Sequence, residues 1–209
     1  MTRGTLFRWA GLASIISGIT LAVGEILHPR NDPANVTTSA WAISHQLILV
    51  GVILGIAGTF AIYLRQNRET GALGFIGFLL AFIAMTLVSG IVFFEAFINP
   101  VLAKEAPDFV RRFMAEEVGG TVFAVFIVGG LGFSLGWLLL GWATIRAGVF
   151  PKWAAILALV GGILLGLEAL LAQAFGETAA KVPAVLFGLG IIWIGYALWS
   201  EKGEMARAS

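Results

Sequence analysis

Three glutamates and two histidines are the residues in this sequence whose types and positions can support chemistry. The glutamates are the charged residues that interrupt its long apolar stretches, and the chain contains two histidines in all. These five residues are Glu25, His28, His45, Glu95 and Glu168. A charged side chain near the centre of a bilayer costs about 2.5–3.5 kcal/mol on insertion scales. The five side chains are therefore predicted to gather in one polar pocket rather than to face lipid separately.

The types and spacing of these residues indicate a site for a metal ion or a small ligand. Glu25 and His28 are three residues apart, which places them on one face of a helix. Carboxylates and imidazoles from neighbouring helices hold iron, manganese or zinc in helical bundles. We therefore predict a divalent-metal or ligand site built by all five residues. An open coordination position would let the metal activate water or bind oxygen, so the sequence is compatible with an enzyme and with a binding protein.

Three other interpretations use the same residues differently. His28 and His45 can both bind one haem iron if their helices are adjacent. Buried carboxylates that face a polar cavity can exchange protons or bind a cation, which is typical of a small carrier. The charged groups can instead pair with Arg30, Lys104 or Arg111 at the membrane surface. In that case the protein is an accessory or structural subunit whose function depends on a partner.

The composition predicts that an integral membrane protein positions these residues. Of the 209 residues, 59% are hydrophobic and 12% are charged, whereas soluble domains carry about 25% charged residues. We expect one all-α transmembrane domain over residues 1–209, with the lipid bilayer, a membrane-protein partner or a second copy of the chain as its partners. No basic run indicates nucleic acid. The absence of cysteine excludes thiolate metal sites.

Six apolar segments are long enough to cross the hydrocarbon of a bilayer, which takes about 20 helical residues. They are residues 6–27, 41–64, 72–98, 121–145, 153–175 and 182–199. The first is predicted to be retained, because no small-residue cleavage site follows it. Charge or proline marks most of the predicted ends, including residues 65–69, Pro100 and Pro183. Pro183 suits the first turn of a helix.

Basic residues predict the orientation of these segments. One set of connections and termini is enriched in them: Arg3, Arg8, Arg65, Arg68, Arg146, Lys152, Lys202 and Arg207. The positive-inside rule then places both termini in the cytoplasm and the chain in the cell (inner) membrane. All five candidate site residues fall near the outer face in this orientation.

Weak internal repetition predicts three related helical hairpins. Each odd-numbered segment runs outward and carries one glutamate near its outer end, namely Glu25, Glu95 or Glu168. The even-numbered segments carry closely spaced glycines instead. A pseudo-three-fold arrangement would follow from such a repeat, and chance similarity between apolar helices is the alternative.

The longest outer connection, residues 99–120, contains a predicted short helix over residues 107–117. Phe109, Val110, Phe113 and Met114 share one side of it. Such a helix is typical of the membrane interface. It either covers the outer ends of the bundle in part or serves as a plain connector. Four tryptophans near helix ends, Trp9, Trp41, Trp153 and Trp199, are predicted to be interfacial anchors.

The motif Gly132-Phe133-Ser134-Leu135-Gly136 in the fourth segment resembles the serine motif of the rhomboid intramembrane proteases. Those enzymes have a six-helix core and carry the serine on the fourth helix, so the resemblance implies a nucleophile at Ser134. A rhomboid also needs a histidine on its sixth helix, and residues 182–199 contain none. We therefore interpret the motif as small residues for close helix packing.

Overall fold

The computed structural model describes residues 2–200, and that range contains helices and turns without any strand. The helices are α1 Arg3–Leu27, α2 Ser39–Phe93, α3 Asn99–Glu105, α4 Pro107–Met114, α5 Gly120–Ala147, α6 Lys152–Leu165, α7 Glu168–Phe175, α8 Glu177–Ala180 and α9 Val182–Ser200. A 3-10 turn, Pro33–Asn35, precedes α2, and a π-helical turn, Phe94–Ile98, joins α2 to α3. The all-α prediction is confirmed for this range. The basic residues Lys202 and Arg207 lie outside it.

Long apolar helices dominate the fold. Within residues 2–200, four helical stretches are long and apolar enough to cross a membrane: Arg3–Leu27, Ser39–Glu105, Gly120–Ala147 and Glu177–Ser200. The bent pair α6 and α7 raises this number to five if the pair counts as one span. These lengths fit a membrane protein, because about 20 helical residues cross the hydrocarbon.

Gly71 divides α2 into two antiparallel arms. Its φ of 56° and ψ of −147° lie in a region that is essentially open to glycine alone. The arms pack against each other on either side of this residue. Tyr63 stacks on Phe78 with ring centroids 4.8 Å apart, and the Thr59 hydroxyl lies 3.6 Å from the Met85 sulfur. The stretch that begins with α2 is therefore a hairpin and not a single rod.

Two predicted helix ends are wrong. Helix α2 continues through residues 65–69 to the turn at Gly71, because charged side chains end an apolar stretch without ending a helix. Pro100 does not end the helical structure either. It follows the π-helical turn and lies in the first turn of α3, where a missing N–H is tolerated. Pro183 lies in the first turn of α9, as predicted.

The helices form a closed ring of antiparallel neighbours. Helix α1 packs against the first arm of α2 and against α9, the second arm packs against α5, and α6 lies between α5 and α9. Glycines bring the backbones together. A Cβ on Gly11 of α1 would lie 2.6 Å from the carbonyl oxygen of Gly195 on α9. This close packing is what small residues permit between membrane helices.

The predicted segment 153–175 is broken rather than straight. Helix α6 ends at Leu165, α7 begins at Glu168, and the two are bent by 73°. Gly166 lies at the break, in close contact with the Gly130 carbonyl of α5. A larger residue at this position would push the two backbones apart, so the glycine lets the break pack against α5.

The short helix predicted within residues 107–117 is present as α4. Its Val110 packs against Val36 and Trp41, and all three side chains are buried. Phe113 is also buried, whereas Phe109 is 44% exposed. Helix α4 therefore covers the beginning of α2 rather than only linking α3 to α5.

Candidate functional site

The five predicted site residues lie at one end of the helical ring, which we call the polar end. Glu25 lies near the end of α1, and His28 directly follows that helix. His45 lies in the second turn of α2. Glu95 lies in the π-helical turn after the second arm of α2, and Glu168 is the first residue of α7. The antiparallel packing of the ring places these positions on the same side of the molecule.

His28 and His45, the histidine pair, are in direct contact. Their Nε2 atoms are 3.2 Å apart and their ring centroids are 4.6 Å apart. His45 is 5% exposed, and His28 is partly buried. Burial lowers the pKa of His28 below its usual value, and the positive charge of Lys181 acts in the same direction. His28 is therefore neutral near pH 7.

A backbone carbonyl fixes the outer nitrogen of the His45 ring. The Nδ1–H of His45 donates to the Trp41 carbonyl oxygen at 2.9 Å. A carbonyl can only accept, so the Nε2 atom of neutral His45 carries a lone pair. The Nε2 atom of His28 lies 3.2 Å from this nitrogen, so it can donate a hydrogen bond to the lone pair or share a cation with it.

Trp41 packs against both rings of the histidine pair. Its ring centroid lies 4.4 Å from that of His45 and 5.5 Å from that of His28. Its Nε1–H donates to the backbone carbonyl of Glu95 at 2.8 Å. Trp41 therefore links the histidines to the π-helical turn of the neighbouring arm.

The role predicted for Trp41 is wrong, because this side chain is 1% exposed and is not an interfacial anchor. Helix α4 covers the start of α2 and withdraws Trp41 from the surface. Trp9, Trp153 and Trp199 are 65%, 66% and 44% exposed, as anchors require. A helix-end position alone does not distinguish an anchor from a residue covered by a neighbouring helix.

Glu95 contacts Trp41 through its backbone carbonyl, while its carboxylate contacts Asn99. The Asn99 Nδ2 donates to the Glu95 Oε2 at 2.7 Å. Asn99 is 1% exposed, and its Oδ1 has no hydrogen-bond partner in the described part of the chain. π-helical turns occur frequently at functional sites. Here the turn sets the Glu95 carbonyl against Trp41 and the carboxylate against Asn99.

Glu25 and Glu168 form a second charged group with Lys181. The two carboxylates interact electrostatically with each other and with Lys181. The Lys181 Nζ donates to the carbonyl oxygens of Ile26 at 3.2 Å and His28 at 2.6 Å. It thereby supplies donors to the free carbonyls at the end of α1.

Glu25 is the most buried of the three glutamates and is 8% exposed. Within residues 2–200 its carboxylate has neither a hydrogen bond nor a salt bridge. None of the pairings predicted with Arg30, Lys104 and Arg111 forms in this range. Arg111 instead contacts Asp108 of its own helix at 3.2 Å.

A cavity of about 400 Å³ opens beside this charged group. It is lined by Arg30, Phe175, Gly176, Glu177, Thr178 and Lys181. Its volume lies in the range of small-molecule pockets, about 300–1,000 Å³. The predicted site residues are not part of the lining, and Lys181 connects the cavity to them.

The five predicted residues thus form two groups and not a single coordination shell. In residues 2–200, no three histidine or acidic side chains are close enough together to hold one metal ion. The carboxylate of Glu95 faces Asn99, and those of Glu25 and Glu168 belong to the lysine group. The 3.2 Å separation of the histidine nitrogens leaves no space for a porphyrin between them, so this geometry does not fit a haem with both residues as ligands.

Lys181 and Glu177 belong to this end of the molecule but were not predicted from the sequence. Both lie in a short connection that looks like an ordinary polar turn. The feature of the sequence that could have indicated Lys181 is the end of α1, where free backbone carbonyls require hydrogen-bond donors. The His28 N–H serves the Glu25 carbonyl, but Pro29 has no N–H, so a nearby lysine could have been expected to serve the carbonyls that remain.

Ser134 is a packing residue, as predicted. Its hydroxyl donates to the Ile163 carbonyl at 2.8 Å, next to the break after α6. Gly136 in the same motif contacts the backbone of Ala81 on the second arm of α2. The motif therefore serves helix packing at these positions.

Comparison with protein-family models, with curated proteins and with solved structures finds no match for this chain.

Proposed function

We propose that this chain is a six-span protein of the cell membrane that binds a small charged solute at its outward-facing polar end. The six spans are α1, the two arms of α2, α5, the bent pair α6 and α7, and α9. The ring of antiparallel neighbours supports this count, because each member alternates in direction with the next. The same ring is compatible with three hairpins related by a repeat.

The proposed orientation rests on the described basic residues. Arg3 begins α1, Arg68 precedes the turn at Gly71, and Arg146 is near the end of α5. All three lie at the end of the ring opposite the polar end. Under the positive-inside rule that end is cytoplasmic, so both termini are inside and the polar end faces outward.

The observation that carries the proposed binding function is the buried Glu25 without a bonded partner. A carboxylate at this depth is disfavoured unless something compensates it. Lys181 compensates in part, but it also interacts with Glu168 and Glu177. Three carboxylates and two cations, Lys181 and Arg30, thus lie in or beside the lining of a cavity of about 400 Å³. This excess of negative charge favours a solute that carries an amino group, with Arg30 available to a second, anionic group.

Thermal denaturation of the purified protein in detergent tests this proposal. The probes are a panel of amino acids, simple amines and organic acids, with a chelator present to exclude metal ions. We expect an amino-bearing probe to raise the denaturation temperature of the wild type, because a ligand that binds only the folded state stabilises it. Lys181→Met should alter this response, whereas Lys104→Met, at an exposed position of α3, should leave it intact. A response that is identical in both variants, or absent from the wild type, would refute binding at the polar end.

A small carrier is the second candidate, and the broken helix favours it. Substrate sites of carriers are often built where a membrane helix is interrupted. Here the interruption between α6 and α7 places Glu168 at the first position after the break. Proton and sodium flux into proteoliposomes should then depend on Glu168 and fall in Glu168→Gln. Flux no greater than in protein-free liposomes would leave binding alone as the function.

A further inference from the structure

The histidine pair has the geometry of two metal ligands. Two imidazole nitrogens bound to zinc at about 2.0–2.1 Å and at a tetrahedral angle lie about 3.3 Å apart. The two Nε2 atoms in this structure are 3.2 Å apart. A linear arrangement with the same bond lengths would separate them by about 4 Å. The observed spacing therefore fits a bent or tetrahedral coordination.

The outer nitrogen of the His45 ring shows the pattern that supports metal ligation. A ligating histidine usually donates its second ring N–H to a carboxylate, a carbonyl or water, which fixes the tautomer and the ring orientation. His45 donates to the Trp41 carbonyl at 2.9 Å. Its Nε2 lone pair is then free to bind a cation, and the Nε2 atom of His28 lies 3.2 Å away.

The histidine pair lies in an enclosed position. It is packed against Trp41, which α4 covers, and His45 is 5% exposed. Neutral imidazole is the form that binds metal ions.

We infer that His28 and His45 are the two protein ligands of a divalent transition-metal ion of the zinc class, bound through their Nε2 atoms. The remaining coordination positions are filled by water or by a donor atom of the bound solute, because no third side chain of the described residues is close enough. This inference rests on the proposed outward-facing binding function, since ion and solute enter from the same side. The absence of cysteine excludes thiolate ligands.

Zinc titration of the full chain, purified in detergent and stripped with a chelator, tests the inference. We expect one equivalent to bind the wild type. His28→Ala and His45→Ala should each weaken binding by at least about 100-fold, the upper end of the loss seen when a supporting residue is removed. Lys104→Met is the control and should bind as the wild type does. The absence of stoichiometric binding, or equal binding in all variants, would overturn the inference.

X-ray absorption of the zinc-loaded wild type gives an answer that does not depend on the folding of a variant. We expect two imidazole ligands at about 2.0–2.1 Å from the zinc. A shell of oxygen atoms without imidazole would overturn the inference. The solute screen with chelator present distinguishes the two proposals. A response to an amino-bearing probe without zinc binding would refute the metal site alone. Zinc binding without a response to any probe would refute the binding of an amino-bearing solute alone.

Discussion

At the level of single residues, the polar end contains a buried side chain, Glu25, that lowers the stability of the folded protein. Glu25 is 8% exposed and has no hydrogen-bond donor within the described range. A largely buried carboxylate without a hydrogen bond is disfavoured relative to a neutral residue of the same shape. Residues that weaken the fold in this way are typical of functional sites.

Glu25→Gln is therefore expected to stabilise the protein. The amide keeps the shape of the side chain and removes the buried charge, so we expect a gain of about 1 kcal/mol, or roughly 2–4 °C in the denaturation temperature. Thermal denaturation in detergent measures this shift. Glu69→Gln, at an exposed position, is the matched control and should stay within about 0.5 kcal/mol of the wild type. A loss of stability in Glu25→Gln would show that the carboxylate is a structural group and not a binding group.

Residue types and their depth along the segments predict that Glu25, His28, His45, Glu95 and Glu168 lie at one end of the bundle, and the structure places all five there. Spacing could not predict which of them touch. His28 meets His45 because the chain turns back through Pro33–Asn35 and α2 starts beside the end of α1. Glu95 turns toward Asn99 because of a local π-helical turn. Such turns have no clear signature in an apolar sequence.

At the scale of elements, the close approach of glycine-bearing helices holds the ring together. Gly11 on α1 faces the backbone of α9, where a Cβ would lie 2.6 Å from the Gly195 oxygen and 2.7 Å from the Trp199 nitrogen. Backbone atoms cannot move aside as a flexible side chain can. Helices α1 and α9 can therefore stay this close only while position 11 lacks a side chain.

Gly11→Ala is expected to destabilise the protein by about 1–3 kcal/mol, the usual cost of overpacking. Gly90→Ala makes the same chemical change at an exposed helical position with nothing within 4 Å. It should be neutral or stabilising by up to about 1 kcal/mol, because alanine favours helix more than glycine does. Denaturation temperatures of both variants in detergent measure the difference. Equal effects would contradict the close packing of α1 against α9.

Apolar length predicts the long helices well, since α1, α5 and α9 lie within a few residues of segments 6–27, 121–145 and 182–199. Their internal breaks were missed. Residues on both sides of the break at Gly166 are mostly apolar, so an apolar run alone does not mark the 73° bend between α6 and α7. The break depends on contact with α5, which is a property of the packed molecule.

At the scale of the whole molecule, the closed ring gives the chain two different ends. One carries the histidine pair and the lysine group, and the other carries the turn at Gly71 together with Arg3, Arg68 and Arg146. The proposed orientation makes the first end external. Every functional proposal requires this orientation, because solute and metal ion are expected to arrive from outside.

Single cysteines test the orientation cleanly, because the chain has none of its own. Thr178→Cys lies at the cavity and Asn67→Cys lies near the opposite turn, and both positions are exposed. An impermeant maleimide added to intact cells should label the first and should reach the second only after permeabilisation. The reverse pattern would place the polar end in the cytoplasm.

Nitrogen NMR of histidine-labelled protein tests the geometry of the histidine pair. The chain has two histidines, so the spectrum is simple, and His28→Gln assigns it. For zinc-free protein near neutral pH, we expect His45 in one fixed tautomer, with the proton on Nδ1 and an unprotonated Nε2. The Nε2 signal of His45 should also shift when His28 is replaced. Rapid exchange between tautomers in both rings, together with a His45 signal that does not change in His28→Gln, would contradict the contact between the two histidines.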